Sequence, residues 1–151
     1  MTDATAKIHN WRQADARIGT SGQPSEAQLA AIAADGYRTV INLALHDDAR
    51  YSLRDERATV EKLRMQYVHI PVQFGSPTAE DLQGFFDAMD AHREEKVWVH
   101  CAANMRVTAF LGLYRVRREG WDRDKAFELM RGLWKPDETW SAFIERSLQE
   151  P

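Results

Sequence analysis

Val97-Trp98-Val99-His100-Cys101-Ala102-Ala103-Asn104-Met105-Arg106, running on through Val107 to Val116, is the stretch that decides the fold. Val97 to His100 is short and β-branched and reads as a strand. Val107, Ala109, Phe110, Leu111, Leu113, Tyr114 and Val116 read as a helix apolar on most sides, one buried in the middle of the fold. Between them lie two small alanines, an asparagine tolerant of left-handed backbone, and an arginine. A strand passing through such a turn into a helix N-terminus aims several backbone N–H groups at one spot, and the helix dipole adds positive potential there. An oxyanion is favoured at that spot. Ala102, Ala103, Asn104 and Met105 are the candidate amide donors, and Arg106 adds a planar fork that can grip two oxygens. Amides and a cation also stabilise a charged sulfur, so the Cys101 thiol is pushed toward thiolate. Lone cysteines are commonly buried and inert. The order strand, small-residue turn, helix is what separates Cys101 from that case.

Outward from this unit the chain alternates strands and helices. Ile18 to Thr20, Thr39 to Leu43 and Tyr67 to Ile70 read as strands. A helix starts at Ser25, with Gln28 placed for a capping box, and ends at Asp35-Gly36. Ser52 to Arg64 reads as a charged, exposed helix, and Thr78 caps one whose apolar face is Leu82, Phe85, Phe86 and Met89. Two closing helices follow, with core faces Ala126/Phe127/Met130/Leu133 and Trp140/Phe143/Ile144/Leu148; Pro136 fits the first turn of the last. Both read as packing elements. The alternation predicts an α/β fold: three layers, with a mostly parallel sheet of four to five strands flanked by helices. Ligands of such sheets collect beyond the carboxyl ends of the strands, which sets the loops near Asp47, Val72 and Cys101 along one edge. Residues 1–14 read as a polar lead-in and 15–151 as a single domain.

Composition narrows the function. The chain has 151 residues, 44% apolar and 28% charged, as expected of one globular domain. One cysteine excludes an internal disulfide and a multi-cysteine zinc cage, and it fits a reducing compartment. A formal net charge of −3 argues against a general nucleic-acid binder. Met1 to Asn10 lacks the apolar stretch of a signal peptide, and no apolar run approaches the ~18 residues of a membrane span. The expected location is the cytoplasm, with no membrane partner. His9, His46, His69 and His92 lack metal-ligand spacing, so no metal is expected. Oligomeric state is not readable from these features.

Four ordered stretches carry a family likeness: Ser21-Gly22-Gln23-Pro24-Ser25; Gly36 to Val40-Ile41-Asn42-Leu43; Tyr67-Val68-His69-Ile70-Pro71-Val72; and Val99-His100-Cys101. From about Arg17 to Arg118 the chain resembles the cysteine-dependent phosphatases, more narrowly the bacterial protein tyrosine phosphatase-like proteins related to the phosphatase part of a β-lactamase-hydrolase fusion. The resemblance implies a fold similar to the dual-specificity phosphatases and no cofactor. It implies that Cys101 attacks phosphorus to give a phosphocysteine, that Arg106 clamps the phosphoryl oxygens, and that His100 orients the loop and tunes the thiol. A carboxylic acid would protonate the leaving oxygen and water would hydrolyse the intermediate. The partner would be a phosphorylated protein or a small aryl phosphate.

The loop also departs from that family. Four residues separate Cys101 from Arg106 where five are usual, Asn104 replaces a glycine, and Val107 follows the arginine where a hydroxyl residue is usual. Thr108, one place later, is the nearest supporting hydroxyl. The short loop resembles rhodanese-type sulfurtransferases in length, so sulfur transfer with Cys101 as persulfide carrier is the second reading. A phosphate- or phosphoprotein-binding module without turnover is the third. The general acid is unassigned: Val72-Gln73-Phe74-Gly75 holds no carboxylate. Asp47 and Asp48, after the Thr39–Leu43 strand, face the same sheet edge and are candidates. Asp81 is another, although its position in a first helical turn also suits complementing the helix N-terminus. An acidic phenol leaves phosphate with little protonation, so aryl phosphates tolerate a poorly placed acid.

Overall fold

The short β-branched runs pair in register, as the alternation of strands and helices requires. A computed structural model of the chain describes residues 3–46 and 52–149. In chain order the elements begin with α1 (Asp3–Ala6), β1 (Arg12–Gln13), β2 (Ile18–Ser21) and α2 (Glu26–Ala34). Next come β3 (Thr39–Asn42), α3 (Glu56–Lys62), β4 (Gln66–His69) and α4 (Ala79–Ala91). Strand β5 (Val97–His100), α5 (Met105–Arg117), α6 (Arg123–Ala126) and α7 (Glu138–Gln149) complete the chain. The sheet order is β1-β2-β5-β3-β4. β2, β5, β3 and β4 run parallel, and β1 joins the edge antiparallel to β2. The expected three-layer, mostly parallel α/β fold is the one observed.

Strand alternation divides the core. Ile41, Val97 and Val99 face one side, with Phe85 and Met89 of α4, Phe110 and Leu113 of α5, and Trp140 and Phe143 of α7. Val40 and Trp98 face the other, with Leu29 and Ile32 of α2 and Val60 of α3. Helix α5 is buried from Arg106 through Arg115, as its all-round apolarity predicts. Local signals hold where their hydrogen bonds are local. The Ser25 side chain accepts from Gln28 N–H, and the Gln28 side chain returns the bond. Gly36 closes α2 at φ +93°, a conformation costly for other residues.

Three boundaries differ from expectation. Helix α3 begins only after Asp55, whose carboxylate accepts from Ala58 N–H and so caps a shorter helix than 52–64. The helix expected over Ala126 to Leu133 is α6 alone. Beyond it the chain winds by tight i to i+3 bonds, Glu128 N–H to Lys125 O and Met130 N–H to Phe127 O. Pro136 stands before α7 rather than in its first turn, because Asp137 accepts Trp140 N–H and takes the capping position. The 1–14 segment, read as a lead-in, contributes α1 and β1 and buries Ile8 against α2. Among the described residues, no helix is long and apolar enough to cross a membrane.

Candidate active site

Parallel pairing brings the exits of β3, β4 and β5 together. Leu43 N–H donates to His100 O (2.8 Å), Ile70 N–H to Asn42 O (2.9 Å) and Val72 N–H to Leu43 O (3.0 Å). Cys101 therefore leaves the middle of the sheet, flanked by the 43–46 and 70–75 segments. The turn after β2 braces it from the other side. Cys101 N–H donates to Ser21 O (3.3 Å), and Gln23 N–H donates to Ala102 O (3.1 Å). A side chain at Gly22 would bring its Cβ within 2.5 Å of Ala102 O, so only glycine permits this approach.

Asn104 shapes the turn. It takes the left-handed conformation (φ 67°, ψ 7°) immediately before α5, as its residue type allows. Its Nδ2 donates to Asn10 O (2.9 Å) and Thr20 Oγ1 (3.0 Å), while Asn10 Nδ2 donates back to Ala103 O (3.0 Å). The carbonyl of Ala102 is thus taken up by Gln23 N–H and that of Ala103 by Asn10. Among the described residues, the amides of Ala102, Ala103, Met105 and Arg106 make no backbone hydrogen bond, leaving donors at a helix N-terminus. Asn104→Ala would add left-handed strain and remove two buried bonds. A loss of about 2–4 kcal/mol in unfolding free energy is expected by chemical denaturation, with Asn104→Gly losing less because the strain is absent.

Arg106 turns inward and is 8% exposed. Its Nη1 donates to Val72 O at 2.8 Å, and its guanidinium lies 5.9 Å from the Phe74 ring centre. Its Nε is buried and unpartnered. With Nη1 anchored, the Nε–Nη2 edge remains for an oxyanion, the side-on geometry of a bidentate clamp. Cys101 is 1% exposed and forms the floor of the turn.

His100 is fully buried on an equally buried carboxylate, Glu56 of α3: Nε2 to Oε2 is 2.6 Å. Its other ring nitrogen, Nδ1, lies 3.3 Å from Cys101 O. Gln23 Nε2 donates to the second Glu56 oxygen at 2.7 Å. Burial pushes the Glu56 carboxyl up, but the charge and hydrogen bond of His100, with the bond from Gln23, outweigh it and leave it below the ordinary 4.5. The pair's contribution to stability is therefore present above that value and lost as pH falls through the lower folded one. Nearby, His46 stacks on His69 with ring centres 4.2 Å apart. Burial first, then the charge of His69, lowers its pKa.

The other expected site residues are placed elsewhere. Thr108 Oγ1 turns back to the carbonyls of Asn104 and Met105 and accepts from Trp134 Nε1, so it braces α5. Asp81 makes a capping box with Thr78, its carboxylate accepting from Thr78 N–H (3.3 Å). Asp47 and Asp48 lie outside the described residues. Among those described, no group of His, Cys, Asp and Glu is arranged to hold a metal ion. A cleft of about 250 Å³ lies at α6 and α7, between Phe127, Met130, Ile144 and Arg123, and includes no residue of the cysteine turn. The sequence gives no local signal for Glu56, Gln23 or Phe74 at the site, and it marks α7 as a packing element with Trp140 a candidate for the rim. Trp140 of α7 in fact donates from Nε1 to Phe74 O at 2.7 Å, fixing the loop beside Arg106.

The sheet delivers Cys101 into a turn closed by an inward Arg106, the arrangement expected from the likeness to the cysteine-dependent phosphatases. Residues 3–138 match the model of the family described as DSP-PTPase phosphatase fused to NAD+ kinase, and the chain belongs to that family. Beta-lactamase hydrolase-like proteins from two strains of Xylella fastidiosa are 32% identical over 111 residues, 72% of this chain. The chain spans 26% of the length of those curated relatives. A DUF442 candidate phosphatase from Shewanella putrefaciens CN-32 superposes with a TM-score of 0.85 at 29% identity, covering 96% of this chain and 95% of that one. The fold is shared with P. aeruginosa TpbA, whose cysteine-to-serine variant was solved in complex with pTyr. There the TM-score is 0.72 at 20% identity, over 98% of this chain and 91% of that one.

Proposed function

We propose that the chain hydrolyses phosphate monoesters, aryl phosphates and phosphotyrosine first among them, through a phosphocysteine on Cys101. The observation that carries this reading is Arg106, anchored by Nη1 with a buried, unpartnered Nε beside the cysteine turn. Sγ of Cys101 attacks phosphorus as the P–O bond to the aryl group breaks, and the phenolate departs with the electron pair. Water then attacks phosphorus, the S–P bond breaks, and the thiolate is restored with release of phosphate. Arg106 and the free amides hold the equatorial oxygens throughout. A thiol that must stay reduced suits the cytoplasm.

The aryl preference is supported by Phe74, 38% exposed and the exposed large apolar side chain among the described residues. It packs against Trp134 and Trp140, beside Arg106, where a substrate ring would lie. Phe74→Ala is expected to raise KM for an aryl phosphate by about two- to tenfold while leaving KM for an alkyl phosphate unchanged.

Sulfur transfer remains the second reading, favoured by one observation: only four residues lie between Cys101 and Arg106. Aryl phosphate hydrolysis and thiosulfate sulfur transfer, assayed in parallel, separate the two. Hydrolysis without transfer is the expected result. Transfer without hydrolysis overturns the proposal, as does binding of orthovanadate with neither activity, which marks a binding module.

A further inference from the structure

Glu56 stands out among the charged groups of α3 because it alone is sealed in the core. Every polar neighbour on it is identifiable. Gln23, after β2, holds Oε1. His100, at the end of β5, holds Oε2. Beside it on β4, the Tyr67 hydroxyl meets Asn42 Nδ2 (2.9 Å) and His46 Nε2 (3.1 Å). Arg57 stacks over the Tyr67 ring at 5.0 Å, and His46 contributes its charge from beyond β3. The carboxylate thus ties the segment after β2 to the end of β5, and its contact toward the chemistry is His100.

The ring of His100 has an acceptor at each nitrogen: a carboxylate oxygen at Nε2 and the Cys101 carbonyl at Nδ1. Hydrogens on both nitrogens satisfy both contacts, which is the imidazolium form. An imidazolium buried without its counter-charge is costly and gives up a proton. The carboxylate therefore keeps a positive charge, rather than a neutral ring, next to the residue that carries the thiol.

We propose that Glu56 is a positioning residue for Cys101: its buried carboxylate, clamped between Gln23 and His100, holds the imidazole in the charged form and orientation that sustain the reactive thiolate. The inference rests on the phosphatase reading for its consequence in turnover, but not for its effect on the sulfur. Glu56 touches no substrate, and its action passes through His100.

Cys101 is the single cysteine, so the ultraviolet absorbance of the thiolate, with Cys101→Ser subtracted, follows its ionisation without requiring access to it. In Glu56→Gln the midpoint of the thiolate rise is expected to move upward by about one pH unit, a tenfold smaller thiolate-to-thiol ratio at a given pH. In His100→Asn the midpoint shifts likewise, and adding Glu56→Gln to it produces no further shift, because both act through one contact. A folded Glu56→Gln protein whose midpoint matches wild type overturns the proposal, leaving Glu56 a purely structural role. So does a full additional shift in the double variant. Should Glu56→Gln fail to fold, Glu56→Asp carries the test, with a smaller shift in the same direction expected and no shift overturning it. If wild type hydrolyses no aryl phosphate but the midpoints differ as stated, the proposed function falls and this inference stands.

Discussion

Cys101→Ser is expected to abolish aryl phosphate hydrolysis, lowering kcat by about a thousandfold or more while orthovanadate still binds. The separation follows from the division of labour in the turn. Binding rests on the Arg106 guanidinium and on backbone amides, none of which the substitution touches. The covalent step rests on sulfur, which carries negative charge at neutral pH far more readily than a serine oxygen does. Arg106→Lys is the complement: positive charge remains, but the fork and the anchoring bond to Val72 O are both lost. A fall of about a hundredfold or more in kcat/KM is expected, with weaker vanadate binding. Steady-state kinetics with an aryl phosphate and vanadate titrations measure both. Unchanged hydrolysis by Cys101→Ser removes the nucleophile assignment, and undiminished vanadate binding by Arg106→Lys removes the clamp.

The largest stability effect is expected at Trp140. Its ring is fully buried among Phe110, Phe143 and Trp134. Trp140→Ala should cost about 3–5 kcal/mol, a fall in Tm of roughly 6–20 °C for a chain of this length. Because Trp140 Nε1 also holds the Phe74 carbonyl, the effect reaches the site. Trp140→Phe separates the two roles: it keeps much of the packing but removes the bond. A small loss of Tm with a raised KM for aryl phosphates is expected. Thermal denaturation beside kinetics checks this, and an unchanged KM in Trp140→Phe shows that the 72–75 loop holds its place without α7.

How much of this was legible beforehand depends on the range of the signal. Val97–His100 was readable as a strand because a short run with β-branched residues is written in consecutive positions. The Ser25 capping box and the left-handed Asn104 were readable for the same reason: donor, acceptor or backbone preference lies within three residues. The oxyanion turn followed from the order of those local elements, and the inward Arg106 agrees with it. Asp81 shows the limit of such reading, since one position suited both a helix cap and an acid, and the structure occupies it with the cap.

Residue order alone determined the alternating α/β frame, the buried α5 and the cysteine turn, because each arises from hydrogen bonding and periodicity among near neighbours. Only the tertiary structure decided that Glu56, in sequence no different from Glu61 on the same charged helix, lies against His100, 44 residues away. It likewise decided that Arg12–Gln13 adds an edge strand and that Trp140 grips the Phe74 loop. Those contacts join segments far apart along the chain. Which charge is buried, and against what, is set by the packing of whole layers, and short-range patterning carries no record of it.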